Sequence, residues 1–105
     1  MSWEQLAEMD AFGTSPFQNL CCTKVSRLIP DARFEEALIQ DEAFEDGFAE
    51  KYFVADIPTI DMKVYVYLDS AEIVSPYLDI KFDRANSRTP DDLALKLIRE
   101  LSNAF

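Results

Sequence analysis

The sequence predicts an α+β domain: a three-stranded antiparallel meander covered on one face by helices, with helical pieces before it and one helix after it. Three observations carry this reading. Two helix-start signals, Ser15-Pro16 and Thr89-Pro90, flank the middle of the chain. Residues 62–69 and 77–83 alternate apolar and polar side chains with period two. Hydrophobic residues make up 49% of the 105 residues, enough for one core without a metal or disulfide staple, so a single domain over 1–105 is expected.

The first element read from the sequence is a short helix over residues 2–12. Ser2 and Gln5 have capping-box spacing, Trp3, Leu6 and Met9 form an apolar side, and Gly13 is a stop. The second helix has Ser15 as N-cap, Pro16 at the first helical position and Gln18 three residues after the cap. Phe17, Leu20, Cys21, Val25 and Leu28 then mark one face. Cys21 sits in that stripe and reads as a small buried hydrophobe rather than a reactive thiol. Adjacent Cys21 and Cys22 are expected to be reduced, and two Cys with no His exclude a zinc site of the usual kind.

Pro30 and Asp31 open an acidic segment, which is read as helical. Phe34, Ala37, Leu38, Phe44, Phe48 and Tyr52 fall on one side of a continuous helix, but Asp41 and Glu45 fall in the middle of that stripe. An unpaired buried carboxylate is costly, so the helix is expected to break near Gln40, with Asp41 capping a second piece. Strands follow at 52–56, 62–69 and 77–83. In the middle strand Met62, Val64, Val66 and Leu68 face inward and Lys63, Tyr65 and Tyr67 outward. Leu78, Ile80 and Phe82 are inward in the last, and pairing Leu68 with Leu78 makes every cross-strand pair compatible. Ile73 and Val74, in the connection, suggest a bulge or a short edge strand. The final helix starts at Thr89-Pro90-Asp91-Asp92, with Leu93, Leu97, Ile98, Leu101 and Phe105 as its core face.

Functional information lies chiefly in charge. Segment 31–50 holds eight acids and one base, a net charge of −7 within a chain of net charge −10. Such a surface repels nucleic acid and anionic membrane and attracts basic proteins. The expected activity is therefore binding: a small acidic inhibitor that occludes the basic site of a nucleic-acid-binding protein or nuclease. It would be of nucleic-acid-mimic, phage-inhibitor or immunity type, acting through a carboxylate-rich helical surface. Glu35, Glu36, Asp41, Glu42, Glu45, Asp46 and Glu50 are its candidate contact residues. The competing explanation for the same charge is a solvated, solubilising face.

The alternative is a dimeric adaptor or secretion-type chaperone that binds through its sheet face or edge strand. Its candidate residues are Tyr65, Tyr67 and Tyr77, grouped on the wet face in the predicted register. Catalysis is not expected. The chain has no His, only Gly13 and Gly47 as glycines and no nucleophile-elbow serine. Asp41 and Glu45 are the best carboxylate pair, and they are better explained by solvation or capping. A calcium loop at 42–53 fails because Phe44 and Phe53 occupy ligand positions. No cofactor or metal is expected. Lys81, Arg84 and Arg88 are read as local charge balance rather than a phosphate site. With no apolar run of membrane-spanning length and an acidic start, MSWEQLAEMD, a cytoplasmic location is expected.

Overall fold

The computed structural model describes residues 3–4, 14–40 and 49–104. Helix α1 (Pro16–Leu28) precedes strands β1 (Arg33–Gln40), β2 (Ala49–Ile57), β3 (Met62–Val66), β4 (Ala71–Val74) and β5 (Asp79–Phe82), and helix α2 (Pro90–Ser102) follows them. The five strands form one sheet in chain order, antiparallel at every step. The α+β class is thus as predicted, but the sheet has five strands rather than three. Of the predicted helix over 2–12, only Trp3 and Glu4 lie within the described residues.

Both helices start where their capping residues say. Ser15 is extended, its Oγ accepts the Gln18 N–H, and the Gln18 side chain accepts the Ser15 N–H in return. Helix α1 stops at Ile29, whose N–H donates to the Val25 carbonyl. Pro30 follows and holds Ile29 extended. In α2 the Thr89 hydroxyl accepts the Asp92 N–H, Asp91 and Asp92 occupy the first turn, and Arg99 the last. Each charge complements the helix dipole.

The acidic segment departs from its predicted form. Residues 33–40 are a strand, paired with β2 from Arg33↔Asp56 to Gln40↔Ala49. Glu, Ala and Leu favour helix locally, but pairing with a distant strand overrides so weak a preference. The break expected near Gln40 is replaced by strand at that residue, and the second helical piece expected from Asp41 lies outside the described residues as far as residue 48. In strand form Phe34 lies opposite the buried Ala55 on the core face, and Glu35 lies opposite Val54 on the other.

The second correction concerns the last strands. Residues 62–66 do not pair with 77–83. Residues 71–74 form β4, a central strand between them, with Val64↔Ile73 on one side and Ile73↔Ile80 on the other. The Tyr67 N–H donates to the Ser70 carbonyl and the Ser75 N–H to the Leu78 carbonyl, so two tight turns replace the single long connection. Leu78 falls in the second turn and is 59% exposed, not buried. Between β2 and β3, a 3-10 turn at Pro58–Ile60 ends on Asp61 at φ 53°, a left-handed position that Asp tolerates better than most side chains.

Among the described residues both α-helices pack on one face of the sheet. Phe17, Cys21 and Val25 of α1 and Leu93, Ala94, Leu97 and Leu101 of α2 meet Ala55, Ile57, Val64, Val66, Ala71, Ile73 and Phe82. Val64, Val66, Leu97 and Leu101 are buried as predicted, and Ile80 is partly buried against them. Full burial of each leucine contributes about 1.5–3 kcal/mol. Trp3 closes one end: its Nε1 donates to the Ser87 carbonyl at 3.0 Å, Phe17 lies 5.8 Å away and the Arg84 guanidinium sits over its ring.

Candidate functional site

Among the described residues the sequence-predicted candidates fall mainly on two surfaces, the outer face of the sheet and its β1 edge; β5 forms the other edge. By register the outer face carries rows of side chains across the strands. Arg33, Asp56 and Lys63 form one row; Glu35, Val54, Tyr65, Glu72 and Lys81 form the next. Opposite charges meet at Arg33–Asp56, Asp56–Lys63 and Glu72–Lys81, which favours pairing of this sheet in this register. Acids and bases nearly balance there, so the outer face is not where the negative charge of the chain gathers.

Its centre is aromatic. Tyr52, Tyr65 and Tyr67 stack with centroids 6.3, 5.5 and 6.4 Å apart, all three half-buried. The sequence reading grouped Tyr65 and Tyr67 and missed Tyr52, although the alternation of Tyr52, Val54 and Asp56 carried the signal. Tyr77 does not join them. It lies in the turn before β5 and is 97% exposed.

The acidic candidates divide into three sets. Glu35 and Glu36 are exposed on β1, on opposite faces of the sheet. Asp41, Glu42, Glu45 and Asp46 lie outside the described residues. Glu50 lies on β2, opposite Ile39 in the register. The carboxylates at 35 and 36 therefore stand on a strand at the sheet edge, not on a helical surface. Beside them Leu38 is 64% exposed.

A polar knot anchors this edge to the core. Lys51 extends over the Phe53 ring, with Nζ 3.1 Å from the Glu36 carboxylate and 2.8 Å from Thr14 Oγ1. Its own carbonyl accepts the Gln18 amide at 2.7 Å, while Ser15 Oγ donates to the Leu68 carbonyl. The capping box of α1 thereby ties the helix to both β2 and the turn after β3. Glu36 keeps 65% of its side chain in solvent despite its ion pair.

The remaining chemical candidates are ordinary structural groups. Arg84 packs on Trp3 and Lys81 lies opposite Glu72, local contacts of the kind expected for these bases. Burial raises the Cys21 thiol further than Cys22, with the neighbouring Cys22 adding to the effect at Cys21; Cys22 is pushed up to about 12. Among the described residues no three His, Cys, Asp or Glu converge on a metal position, and no helix is long and apolar enough to cross a membrane. The chain matches no protein-family model, no curated protein and no solved structure.

The thiols give a direct test of the α1 packing. Both are free, Cys21 is buried and Cys22 partly buried. Alkylation of the folded protein is expected to modify Cys22 first and both far more slowly than the denatured chain. Equal, rapid labelling would mean that α1 does not lie on the sheet. The folded state holds these protons above the ordinary value of 9.0, where the unfolded chain releases them. Their contribution to stability is therefore complete below pH 9.0 and declines as pH rises towards about 12.

Proposed function

We propose that the chain is a small acidic protein-binding module that occupies a basic surface of a partner, of the inhibitor type. The single observation behind this is the position of its acidic segment. Glu35 and Glu36 stand exposed on an edge strand, beside an exposed leucine, with the most acidic stretch of the sequence directly following. A basic nucleic-acid-binding protein or nuclease is the class of partner that such charge recruits, by steering and by exclusion of anionic competitors. Direct binding of nucleic acid or of an anionic membrane is opposed by a net charge of −10. The action is occlusion, with no chemical step.

The test is capture of basic proteins from a native lysate at low and high salt, with the Glu35→Lys/Glu36→Lys variant beside the wild type. The wild type is expected to retain its partner at low salt and lose it at high salt, and the variant to associate more slowly with a flatter salt dependence. Both side chains are exposed, but Glu36 also pairs with Lys51 Nζ at 3.1 Å, so Glu35→Lys alone is run beside the double variant and the fold of each is checked by urea unfolding. Equal capture by the two proteins would reduce the acidic edge to a solubilising feature.

A second reading is favoured by the Tyr52–Tyr65–Tyr67 cluster: an adaptor or secretion-type chaperone, dimeric or not, that docks partners on the outer face. Three packed tyrosines offer rigid amphipathic area of the kind enriched at interface centres. Retained capture by the charge-reversed protein, lost on Tyr65→Ser/Tyr67→Ser substitution, would select this reading.

A further inference from the structure

We propose that the β1 edge takes up an extended basic segment of the partner as a sixth strand, with apolar and basic residues in a fixed order. This rests on the acidic-module reading above and specifies its mode of capture. Among the described residues β1 is paired on one side only, by β2, over all eight of its residues. Its other side presents the backbone donors and acceptors that a free strand completes. On the core-side face the edge shows Phe34, Glu36 and Leu38, and on the outer face Arg33, Glu35 and Ala37. Phe34 is partly covered by the core, whereas Leu38 has no such cover.

The charges select the occupant. A second copy adding to β1 by a two-fold axis normal to the sheet would pair residues of the same face. Centred on Glu35 or Glu36, that arrangement sets like carboxylates directly opposite each other, which destabilises a sheet. The net charge of −10 on each copy opposes it further. A basic strand meets neither obstacle. Aligned antiparallel, it would place an apolar residue opposite Leu38, any residue opposite Ala37, basic residues opposite Glu36 and Glu35, and an apolar residue opposite Phe34. Its recognition pattern from N- to C-terminus is apolar–any–basic–basic–apolar. Backbone pairing supplies the attachment and the two basic side chains supply the order.

The probe is a labelled peptide with the core Ile-Thr-Arg-Lys-Val between Gly-Ser flanks, added to the full chain and followed by anisotropy and amide hydrogen exchange. Saturable binding is expected, with slowed exchange across Phe34–Leu38. Replacing Arg-Lys by Glu-Glu in the peptide, or introducing Glu35→Lys/Glu36→Lys in the protein, should weaken it about tenfold, the product of two cross-strand charge pairs. Backbone N-methylation of the peptide at both Thr and Arg keeps its charge and breaks the ladder whichever of the two N–H groups faces β1, and should abolish the protection. Equal binding of the N-methylated peptide would overturn strand addition while leaving acidic capture intact. Protection confined to Tyr52 and Tyr65 would overturn it in favour of the outer face. Protection of β1 in the peptide-free protein, with a dimer in solution, would assign the edge to a second copy. Absence of binding by every peptide would also overturn it, and lysate capture with the charge-reversed variant then decides the broader reading separately.

Discussion

Phe17→Ala is expected to destabilise the fold by about 3–5 kcal/mol, the range for truncating a buried aromatic. Phe17 is fully buried in the first turn of α1, against the sheet and beside the Trp3 ring. Removing the ring leaves a void bordered by elements that are fixed elsewhere: α1 by its cap and Trp3 by its hydrogen bond to Ser87. Collapse into the void is therefore restricted, and the cost sits high in the range. A domain of this size has about 5–15 kcal/mol in total, so a third or more of its stability is removed. Urea unfolding with an unchanged slope is the measurement. Leu95→Ala, on the exposed side of α2, is the control and should stay within about 0.5 kcal/mol. A loss below about 1 kcal/mol at Phe17 would place α1 outside the core.

Gln18→Ala is expected to cost about 2–3 kcal/mol, a large value for a polar side chain. One amide serves two elements. Its oxygen accepts the Ser15 N–H at 2.9 Å and its nitrogen donates to the Lys51 carbonyl at 2.7 Å. Alanine leaves both backbone groups without their partner at a position where Gln18 itself is fully buried. Paired with Ser15→Ala in a double-mutant cycle, the two losses should fall short of additive, because Ser15 and Gln18 cap each other. Additive losses would mean that the reciprocal cap is not formed. Gln18→Glu is informative too. A buried carboxylate facing the Lys51 carbonyl favours its protonated form, so that variant should be more stable at acidic than at neutral pH.

The parts of this architecture that were legible beforehand are those written in local chemistry. Ser15-Pro16-x-Gln18 and Thr89-Pro90 fix helix starts within a few residues, and β3 shows its buried face through Val64 and Val66 alone. The failures are of another kind. Segment 33–40 has helix-forming residues and becomes a strand because β2 lies beside it, a fact held outside the segment. Strand β4 has only four residues, and its flanking turn signals, Asp69-Ser70 and Ser75-Pro76, lie so close together that the span between them reads as one connection. The candidate site inherits this division. The identity of its carboxylates was readable from composition, but their placement on a sheet edge depended on the pairing of β1 with β2.

The order of elements along the chain sets an order in time. Every strand pairs with its neighbour in sequence, so the sheet can zip up hairpin by hairpin, at small entropic cost per step. The helices are different. Helix α1 precedes all five strands and α2 follows them, yet the two pack together across the core. During synthesis the sheet is complete in the chain at Phe82, while its apolar face stays half-covered until Pro90–Ser102 has emerged from the ribosome. In that interval a nascent chain shows Val64, Val66 and Ile73 to its surroundings. Helix α2 acts as the closing piece, and the wet interval before it arrives is when this protein is most open to chaperones and to misassociation.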